Sequence, residues 1–129
     1  MSQAVLDSSA VLAVILDEPG AERVEALLPG AKVSAVNVGE VAAKLRDLGM
    51  PEGTIETVLG GLQVDVRVHD LDAALASGFL CPATRSAGLS LGDRACLALA
   101  AALGLPAVTA DRAWNSVAEA VGVQVTPIR

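Results

Sequence analysis

Aromatic side chains are almost missing from this sequence, which contains no tyrosine and carries only Phe79 and Trp114 among the other aromatic types. Proteins that bind single-stranded RNA by base stacking place several aromatic side chains on one surface. Two isolated residues do not provide such a surface. The composition therefore argues against an RNA-binding domain of the aromatic-sheet type.

Basic residues are also scarce. The chain has 9 Lys and Arg against 15 Asp and Glu, which gives a formal net charge of −6 at pH 7. A protein that binds nucleic acid by electrostatic attraction usually carries a basic surface. The charge balance argues against such a protein. It does not exclude an enzyme that acts on nucleic acid, because cations bound among clustered acids would offset part of the negative charge.

Long hydrophobic runs are absent, although hydrophobic residues make up 53% of the chain. The longest run, residues 95–103, is shorter than the roughly 18 residues that a membrane-spanning helix needs. The sequence therefore predicts no membrane span. The high apolar content predicts instead an exposed apolar surface for self-association or for a protein partner.

Cysteine is represented only by Cys81 and Cys96, and neither has a second Cys or a suitably spaced His nearby. Two cysteines do not make a disulfide framework, and the first residues, MSQAVLD, lack the basic and long apolar segments of a signal peptide. We therefore expect a protein of the reducing cytoplasm. Both cysteines are expected to be small core residues rather than metal ligands or nucleophiles.

Short β-branched segments alternate with longer segments rich in Ala and Leu, which is typical of an α/β domain with a mostly parallel sheet. A length of 129 residues suits one domain, residues 1–129. The predicted strands cover residues 4–6, 32–35, 64–68, 107–109 and 124–126. The predicted helices cover residues 9–16, 21–28, 38–48, 52–59, 71–79, 91–103 and 112–121.

Four acidic residues stand where a predicted strand gives way to a helix or where a helix begins: Asp7, Glu40, Asp93 and Asp111. Each has an ordinary structural explanation. Asp7 and Asp111 precede helices and are suitable N-caps. The other two lie three residues after Asn37 and Ser90, which is the spacing of a capping box.

The predicted topology gives the same acids a second explanation. In an open parallel sheet the carboxyl ends of the strands and the N-termini of the helices share one edge, and ligands bind there. Asp7, Glu40 and Asp111 all fall on that edge. Asp93 begins the helix that leads into the strand at residues 107–109, and we expect it to reach this edge only if that helix is displaced over it.

Carboxylates that meet at one edge need a cation, because two of them about 4 Å apart repel by roughly 4 kcal/mol at an effective dielectric of about 20. Oxygen ligands suit Mg²⁺ or Mn²⁺, and the lack of a Cys/His cluster argues against zinc. Such a site orients a phosphodiester and activates a water. The sequence therefore predicts metal-assisted phosphodiester hydrolysis.

The strings AVLDSSAVL, VNVGEVAAKL, LSLGDRACLALA and AVTADRAW resemble the PIN-domain ribonucleases, and specifically the VapC-type toxins of type II toxin-antitoxin systems. The similarity spans nearly the whole chain, and LGDR and TADRAW carry most of its specificity. It implies a PIN-like three-layer α/β/α sandwich with a mostly parallel central sheet. It also implies Mg²⁺- or Mn²⁺-dependent endoribonuclease activity on tRNA, rRNA or mRNA, a homodimer, and inhibition by a small cognate antitoxin.

By the same resemblance, the family's catalytic and metal-binding acids correspond to Asp7, Glu40, Asp93 and Asp111. Ser9 and Thr109 take the place of polar neighbours that orient these acids. We expect the first three acids to hold the main metal, and the fourth to bind it through water or to help place a second ion. Solvation or ion pairing explains the nearby Arg85, Arg94 and Arg112 better than contact with RNA phosphate does.

Other α/β proteins fit the sequence less well. A receiver domain needs adjacent acids after the first strand, but Ser8 follows Asp7, and a haloacid-dehalogenase-type phosphatase needs an acid where Ser9 stands. A Gly-rich phosphate loop is missing as well. One alternative stays open, which is a catalytically inactive PIN-like protein-binding module whose acids act as helix caps.

Overall fold

A computed structural model describes residues 3–129 of the chain. The strands are β1 Val5–Leu6, β2 Lys32–Ser34, β3 Asp65–Arg67, β4 Ala107–Thr109 and β5 Val125–Pro127. The helices are α1 Ser8–Leu16, α2 Ala21–Glu25, α3 Ala35–Asp47, α4 Glu52–Gly61, α5 Leu71–Phe79, α6 Cys81–Thr84, α7 Leu91–Leu103 and α8 Ala118–Val121. Two 3₁₀ segments, Arg85–Ala87 and Arg112–Ser116, follow α6 and β4.

The five strands form one sheet in the order β3-β2-β1-β4-β5. All four strand pairs within residues 3–129 are parallel, so the predicted α/β class is confirmed. The chain moves outward from β1 to β3 and then returns to β4 on the other side of β1. The strand order therefore reverses between β1 and β4, and this is where an open parallel sheet forms its ligand crevice.

Alternating side chains of the central strands contribute to two hydrophobic cores on opposite faces of the sheet. Leu6 and Val108 belong to one core, together with buried residues of α1 to α4. Val5 and Ala107 belong to the other, together with α7 and Trp114. Because neighbouring residues of a strand point to opposite faces, this division produces the predicted three layers of helices, sheet and helices.

Helix α3 begins one turn earlier than predicted, at Ala35 rather than at residue 38. The reason is Ser34, whose hydroxyl oxygen accepts a hydrogen bond from the Val36 amide at 3.2 Å and so acts as the N-cap. The predicted strand 32–35 therefore ends at Ser34. The prediction that Asn37 caps this helix was wrong, because Asn37 and Glu40 both lie inside it.

The long helix predicted at residues 112–121 was also wrong, since a 3₁₀ segment precedes the short helix α8. Asn115 and Ser116 favour this break because their side chains compete for backbone hydrogen bonds. The Ser116 hydroxyl donates to the Ala113 carbonyl at 2.8 Å. In the described part of the chain, no helix combines the length and the hydrophobicity needed to cross a membrane.

Candidate active site

Asp7 lies directly after β1, at the point where the strand order reverses, and only 3% of its surface is exposed. It occupies the N-cap position of α1, but its side chain makes no capping hydrogen bond and is held mainly by hydroxyl groups. Asp7 Oδ2 accepts hydrogen bonds from Ser9 Oγ at 2.7 Å and from Thr109 Oγ1 at 3.0 Å. Ser9 and Thr109 therefore hold this carboxylate between β1 and β4, in agreement with what the family resemblance implied.

Burial raises the pKa of Asp7 to about 6, against an ordinary value of 3.8. The hydrogen bond from Ser9 lowers this pKa, the negative charge of Asp93 raises it, and the hydrogen bond from Thr109 lowers it again. At pH 7 the group is therefore mostly an ionised carboxylate in a poorly solvated place. A group in that state is stabilised by a nearby cation.

Asp93 lies in the first turn of α7 and forms the predicted capping box with Ser90. The Ser90 amide donates to Asp93 Oδ2 at 2.9 Å, and the Asp93 amide donates to Ser90 Oγ at 3.2 Å. Burial raises the pKa of Asp93, the hydrogen bonds to Ser90 lower it, and the charges of Glu40 and Asp111 raise it. Asp93 is thus a helix cap and also a close electrostatic neighbour of the other acids.

Helix α7 reaches the carboxyl edge of the sheet without the displacement that we expected. Helix α7 precedes β4, so its C-terminal end lies at the edge where β4 begins. The helix therefore runs antiparallel to the strands, and its N-terminal end lies at their carboxyl edge. The start of α7 is joined there to α3, because Asn37 Nδ2 donates to the Gly92 carbonyl at 3.0 Å. The expectation was wrong because a helix that enters a parallel strand naturally starts at the carboxyl edge.

Glu40 lies in the second turn of α3, where its carboxylate is held by a buried neighbour. Asn37 Nδ2 donates to Glu40 Oε1 at 2.9 Å. Asn37 is completely buried, and the sequence analysis did not identify it as a functional residue. The sequence feature that could have identified Asn37 is its position, because it is a polar residue one helical turn before the candidate ligand Glu40.

Asp111 follows β4 and is exposed. Its Oδ1 accepts a hydrogen bond from the Ala113 amide at 2.9 Å, so it acts as the predicted N-cap, here of a 3₁₀ segment. Its own amide donates to Thr109 Oγ1 at 3.0 Å. Thr109 therefore contacts both Asp7 and Asp111 and connects the two acids that flank the reversal point.

In the part of the chain that the structure describes, none of the four acids forms a salt bridge. Within residues 3–129, the salt bridges join Asp65 to Lys32 and Arg67, and Glu18 to Arg129. The neighbouring arginines are engaged elsewhere. Arg94 donates to the Leu89 carbonyl, Arg112 donates to the Arg129 carbonyl, and Arg85 lies 3.9 Å from Cys81 Sγ. The negative charge at this edge is therefore left for an external cation.

A divalent cation such as Mg²⁺ or Mn²⁺ fits the donor chemistry of this edge, which offers carboxylate oxygens. As the side chains are placed, however, no three His, Cys, Asp or Glu residues in the described region are arranged to hold one ion together. The hydrogen bonds explain this, since Asp93 and Asp111 cap amides and Asp7 is held by hydroxyls. Joint coordination requires side-chain movement of the capping acids.

Two neighbouring features are apolar. Cys96 is completely buried and burial raises the pKa of its thiol, so it is the core residue that the sequence predicted. A cavity of about 340 Å³ opens between α5 and α7. Its lining includes Ser34, at the end of β2, and Ala95, two residues after Asp93, and it is mostly apolar. None of the four acids lines this cavity, which suits an apolar group better than a phosphate.

Comparison with known proteins agrees with this geometry. Among solved structures, the chain resembles one from the DNA-bound VapBC of Salmonella typhimurium, with a TM-score of 0.77, 20% identity and 100% of each chain covered. A chain from VapBC2 of Rickettsia felis bound to a promoter DNA fragment gives a TM-score of 0.74 at 13% identity, with 97% of this chain and 98% of that chain covered. A chain from VapBC-1 of nontypeable Haemophilus influenzae gives 0.70 at 19% identity, with 98% of each covered.

Identities this low show a common fold. A search of curated proteins finds no match. The model of the PIN domain, by contrast, matches residues 4–120, which is most of the sequence. On this evidence the chain belongs to the PIN-domain family.

Proposed function

We propose that this chain is a Mg²⁺- or Mn²⁺-dependent endoribonuclease, the toxin of a toxin-antitoxin pair, acting as one domain, residues 1–129, in the cytoplasm. One observation carries the proposal, namely that four acids, none of them in a salt bridge among residues 3–129, influence one another electrostatically at the edge where the strand order reverses. Membership of the PIN-domain family supports the nuclease activity. The fold shared with chains of VapBC complexes supports the toxin assignment.

The proposed roles follow from the contacts. Asp7, Glu40 and Asp93 would hold the metal, and Asp111 would bind it through water or help place a second ion. A metal held by these residues would act as a Lewis acid that polarises the phosphodiester and lowers the pKa of a water. Ser9 and Thr109 fix the Asp7 carboxylate in one orientation. This prior orientation reduces the reorganisation needed when the metal and RNA bind.

The alternative function is a catalytically inactive module that binds protein and uses its acids as caps. The cap hydrogen bonds of Asp93 and Asp111 favour it. Asp7 argues against it, because a buried carboxylate that faces two hydroxyls contributes no cap to α1. The two functions differ in what they require of Asp7, so this residue is the place to separate them.

A small cognate antitoxin is the proposed protein partner. The mostly apolar cavity between α5 and α7 could accept an apolar side chain from a partner helix. The four acids, which form no salt bridge in the described part of the chain, would attract a basic side chain of a partner. Each feature supports binding of a small protein partner.

A homodimer is proposed from an exposed apolar surface, which we call the α5 surface. It consists of Val66 and Val68 at the edge strand β3, and Leu71, Leu75 and Phe79 along one face of α5. The three helix residues are four apart and therefore share a face, and Phe79 is 75% exposed. Large apolar side chains grouped in this way are typical of an interface.

The nuclease assignment is tested by incubating total tRNA and rRNA with the protein in Mg²⁺, in Mn²⁺ and in chelator, and by mapping the new RNA ends. We expect discrete cuts that require metal and disappear in Asp7→Asn. The matched control is Glu56→Gln, which removes an exposed carboxylate from α4 and should leave the cuts unchanged. Folded wild-type protein that neither binds metal nor cuts RNA would favour the binding module.

A further inference from the structure

Gly92, in the first turn of α7, lies against the carboxylate of Glu40. A Cβ atom at position 92 would overlap both carboxylate oxygens and the carbon between them. The backbone of Gly92 has no positive φ that would call for glycine, and glycine is an unfavourable residue within a helix. The close approach of Glu40 therefore accounts for the glycine at this position.

Other helical glycines in the chain lack this feature. A Cβ added at Gly53 or Gly60 of α4 would meet no heavy atom of residues 3–129 within 4 Å. Alanine would fit at both positions without displacing a neighbour. The requirement at Gly92 is thus specific to the contact with Glu40 and does not reflect a general use of glycine in these helices.

Asn37 makes the second contact that fixes Glu40. Its Nδ2 donates at 2.9 Å to Glu40 Oε1 and at 3.0 Å to the Gly92 carbonyl, so one amide joins the carboxylate to the start of α7. Asn37 is fully buried, and its Oδ1 has no hydrogen-bond partner among the described residues. Buried polar atoms are nearly always paired in folded proteins, so packing alone gives little reason for asparagine here.

We propose that Asn37 and Gly92 are positioning residues that set the place of the Glu40 carboxylate relative to Asp93. Gly92 leaves the space in which the carboxylate lies, and Asn37 ties that carboxylate to the helix that carries Asp93. The spacing of two proposed metal ligands then depends on one contact between α3 and α7. The inference rests on the proposed metal-dependent nuclease and extends it to residues that do not bind the metal.

The test compares the wild-type protein with Gly92→Ala and Asn37→Ala, and uses Gly60→Ala as the matched glycine control. For each folded variant, Mn²⁺ affinity is measured by calorimetry, and kcat and KM are measured on a defined RNA. We expect both positioning variants to bind Mn²⁺ about 10- to 100-fold more weakly, the range for loss of a partner that orients a metal ligand. The kcat should fall while KM for RNA changes little, and Gly60→Ala should match the wild type.

A size exchange adds a readout that loss of packing would not produce. Glu40→Asp shortens the side chain and should weaken Mn²⁺ binding in the wild-type background. In the Gly92→Ala background the shorter side chain avoids the added methyl group. The double variant should therefore bind Mn²⁺ at least as well as the weaker single variant. If the fold-loss of Mn²⁺ affinity in the double variant equalled the product of the two single-variant losses, positions 40 and 92 would act independently. That result would overturn the proposal.

The remaining outcomes separate this proposal from the proposed function. Normal Mn²⁺ affinity and kcat in folded Gly92→Ala and Asn37→Ala would overturn the positioning role and leave the nuclease intact. Wild-type protein that neither binds Mn²⁺ nor cleaves RNA would overturn both. If Gly92→Ala does not fold, Asn37→Ala decides the matter, because it adds no atoms. A variant with a lower melting temperature but wild-type affinity per folded molecule would show a structural role only.

Discussion

Two regions of this molecule depart from the rules of a stable globular domain, and they do so in opposite ways. At the β1–β4 edge, Asp7 and Asp93 are at least partly buried, and neither forms a salt bridge with any described residue. On the α5 surface, large apolar side chains such as Leu71 and Phe79 face solvent. The chemistry of the first region suits a small cation, and that of the second suits an apolar partner. Each departure thus indicates the chemistry of the ligand that would relieve it.

The explanation of the acidic edge is tested most directly at Asp93, where the capping and metal-binding explanations overlap. Asp93→Asn keeps the size of the side chain but removes its charge. Because metal-ion catalysis supplies several kcal/mol of transition-state stabilisation, we expect cleavage to fall by about 1,000-fold. The measurement is kcat/KM on a defined RNA in saturating Mg²⁺. Full metal-dependent cleavage by this variant would contradict the role of Asp93 as a ligand.

The acidic edge should also destabilise the metal-free protein. The pKa of Asp7 is raised from 3.8 to about 6, so the folded state favours the protonated form. The stabilising contribution of that proton is complete below pH 3.8 and is lost as the pH rises through about 6. At pH 7 in chelator, we expect Asp7→Asn to have a free energy of unfolding up to about 3 kcal/mol higher than that of the wild type. The variant should therefore unfold at a higher denaturant concentration.

This difference should shrink towards zero as the pH falls below 4, where the wild-type carboxyl group is also neutral. Urea unfolding of both proteins over that pH range, with chelator present, measures it. The matched control Glu56→Gln should follow the wild type, because its carboxylate is exposed. A variant less stable than the wild type at pH 7 would show that the buried charge is already compensated.

The α5 surface provides the contrasting prediction. Leu75→Lys places a charge in the middle of the exposed apolar face, and we expect it to weaken the proposed dimer by about 2 kcal/mol, or roughly 30-fold in affinity. Leu48→Lys is the control, since Leu48 is also exposed but lies at the end of α3. Sedimentation over a range of concentrations measures both. Equal effects of the two substitutions on dimer affinity would exclude the α5 surface as the dimer interface.

The smallest expected effect is at Ser90, and it separates the role of Asp93 as a helix cap from its role as a metal ligand. Ser90→Ala removes the hydroxyl that accepts from the Asp93 amide but leaves the Asp93 carboxylate in place. We expect a loss of about 1 kcal/mol of stability, which is typical of an N-cap, and a change of less than about tenfold in kcat/KM. If Ser90→Ala reduced cleavage as much as Asp93→Asn does, capping would explain both.

Much of this arrangement could be predicted from the sequence because it depends on local patterns. β-Branched segments separated by helical ones identify five strands, and acids directly after strands 1 and 4 must lie at their carboxyl ends. Ser90 and Asp93 have the spacing of a capping box, and the structure contains it. These features follow from spacing along the chain alone.

Other features depend on contacts between distant segments and were therefore missed. Ser34 ends β2 and begins α3, but its side chain looks like that of any strand residue until the turn forms. The importance of Asn37 depends on Gly92, 55 residues away. The direction of α7 follows from the parallel orientation of β4, which is fixed by the pairing of β4 with β1 and β5. Long-range pairing decides the details of the site, whereas local patterning decides its location.

The most direct test of the central claim is a pair of melting curves for the wild type and Asp7→Asn, each recorded in chelator and then in Mn²⁺. We predict that the variant melts higher in chelator and that the order reverses in Mn²⁺. A cation at about 1,000 times its dissociation constant should add about 4.1 kcal/mol to the wild type and little to the variant, which exceeds the advantage of up to about 3 kcal/mol expected for the variant in chelator. An unchanged order, with no shift of the wild type in Mn²⁺, would contradict a metal site at this edge.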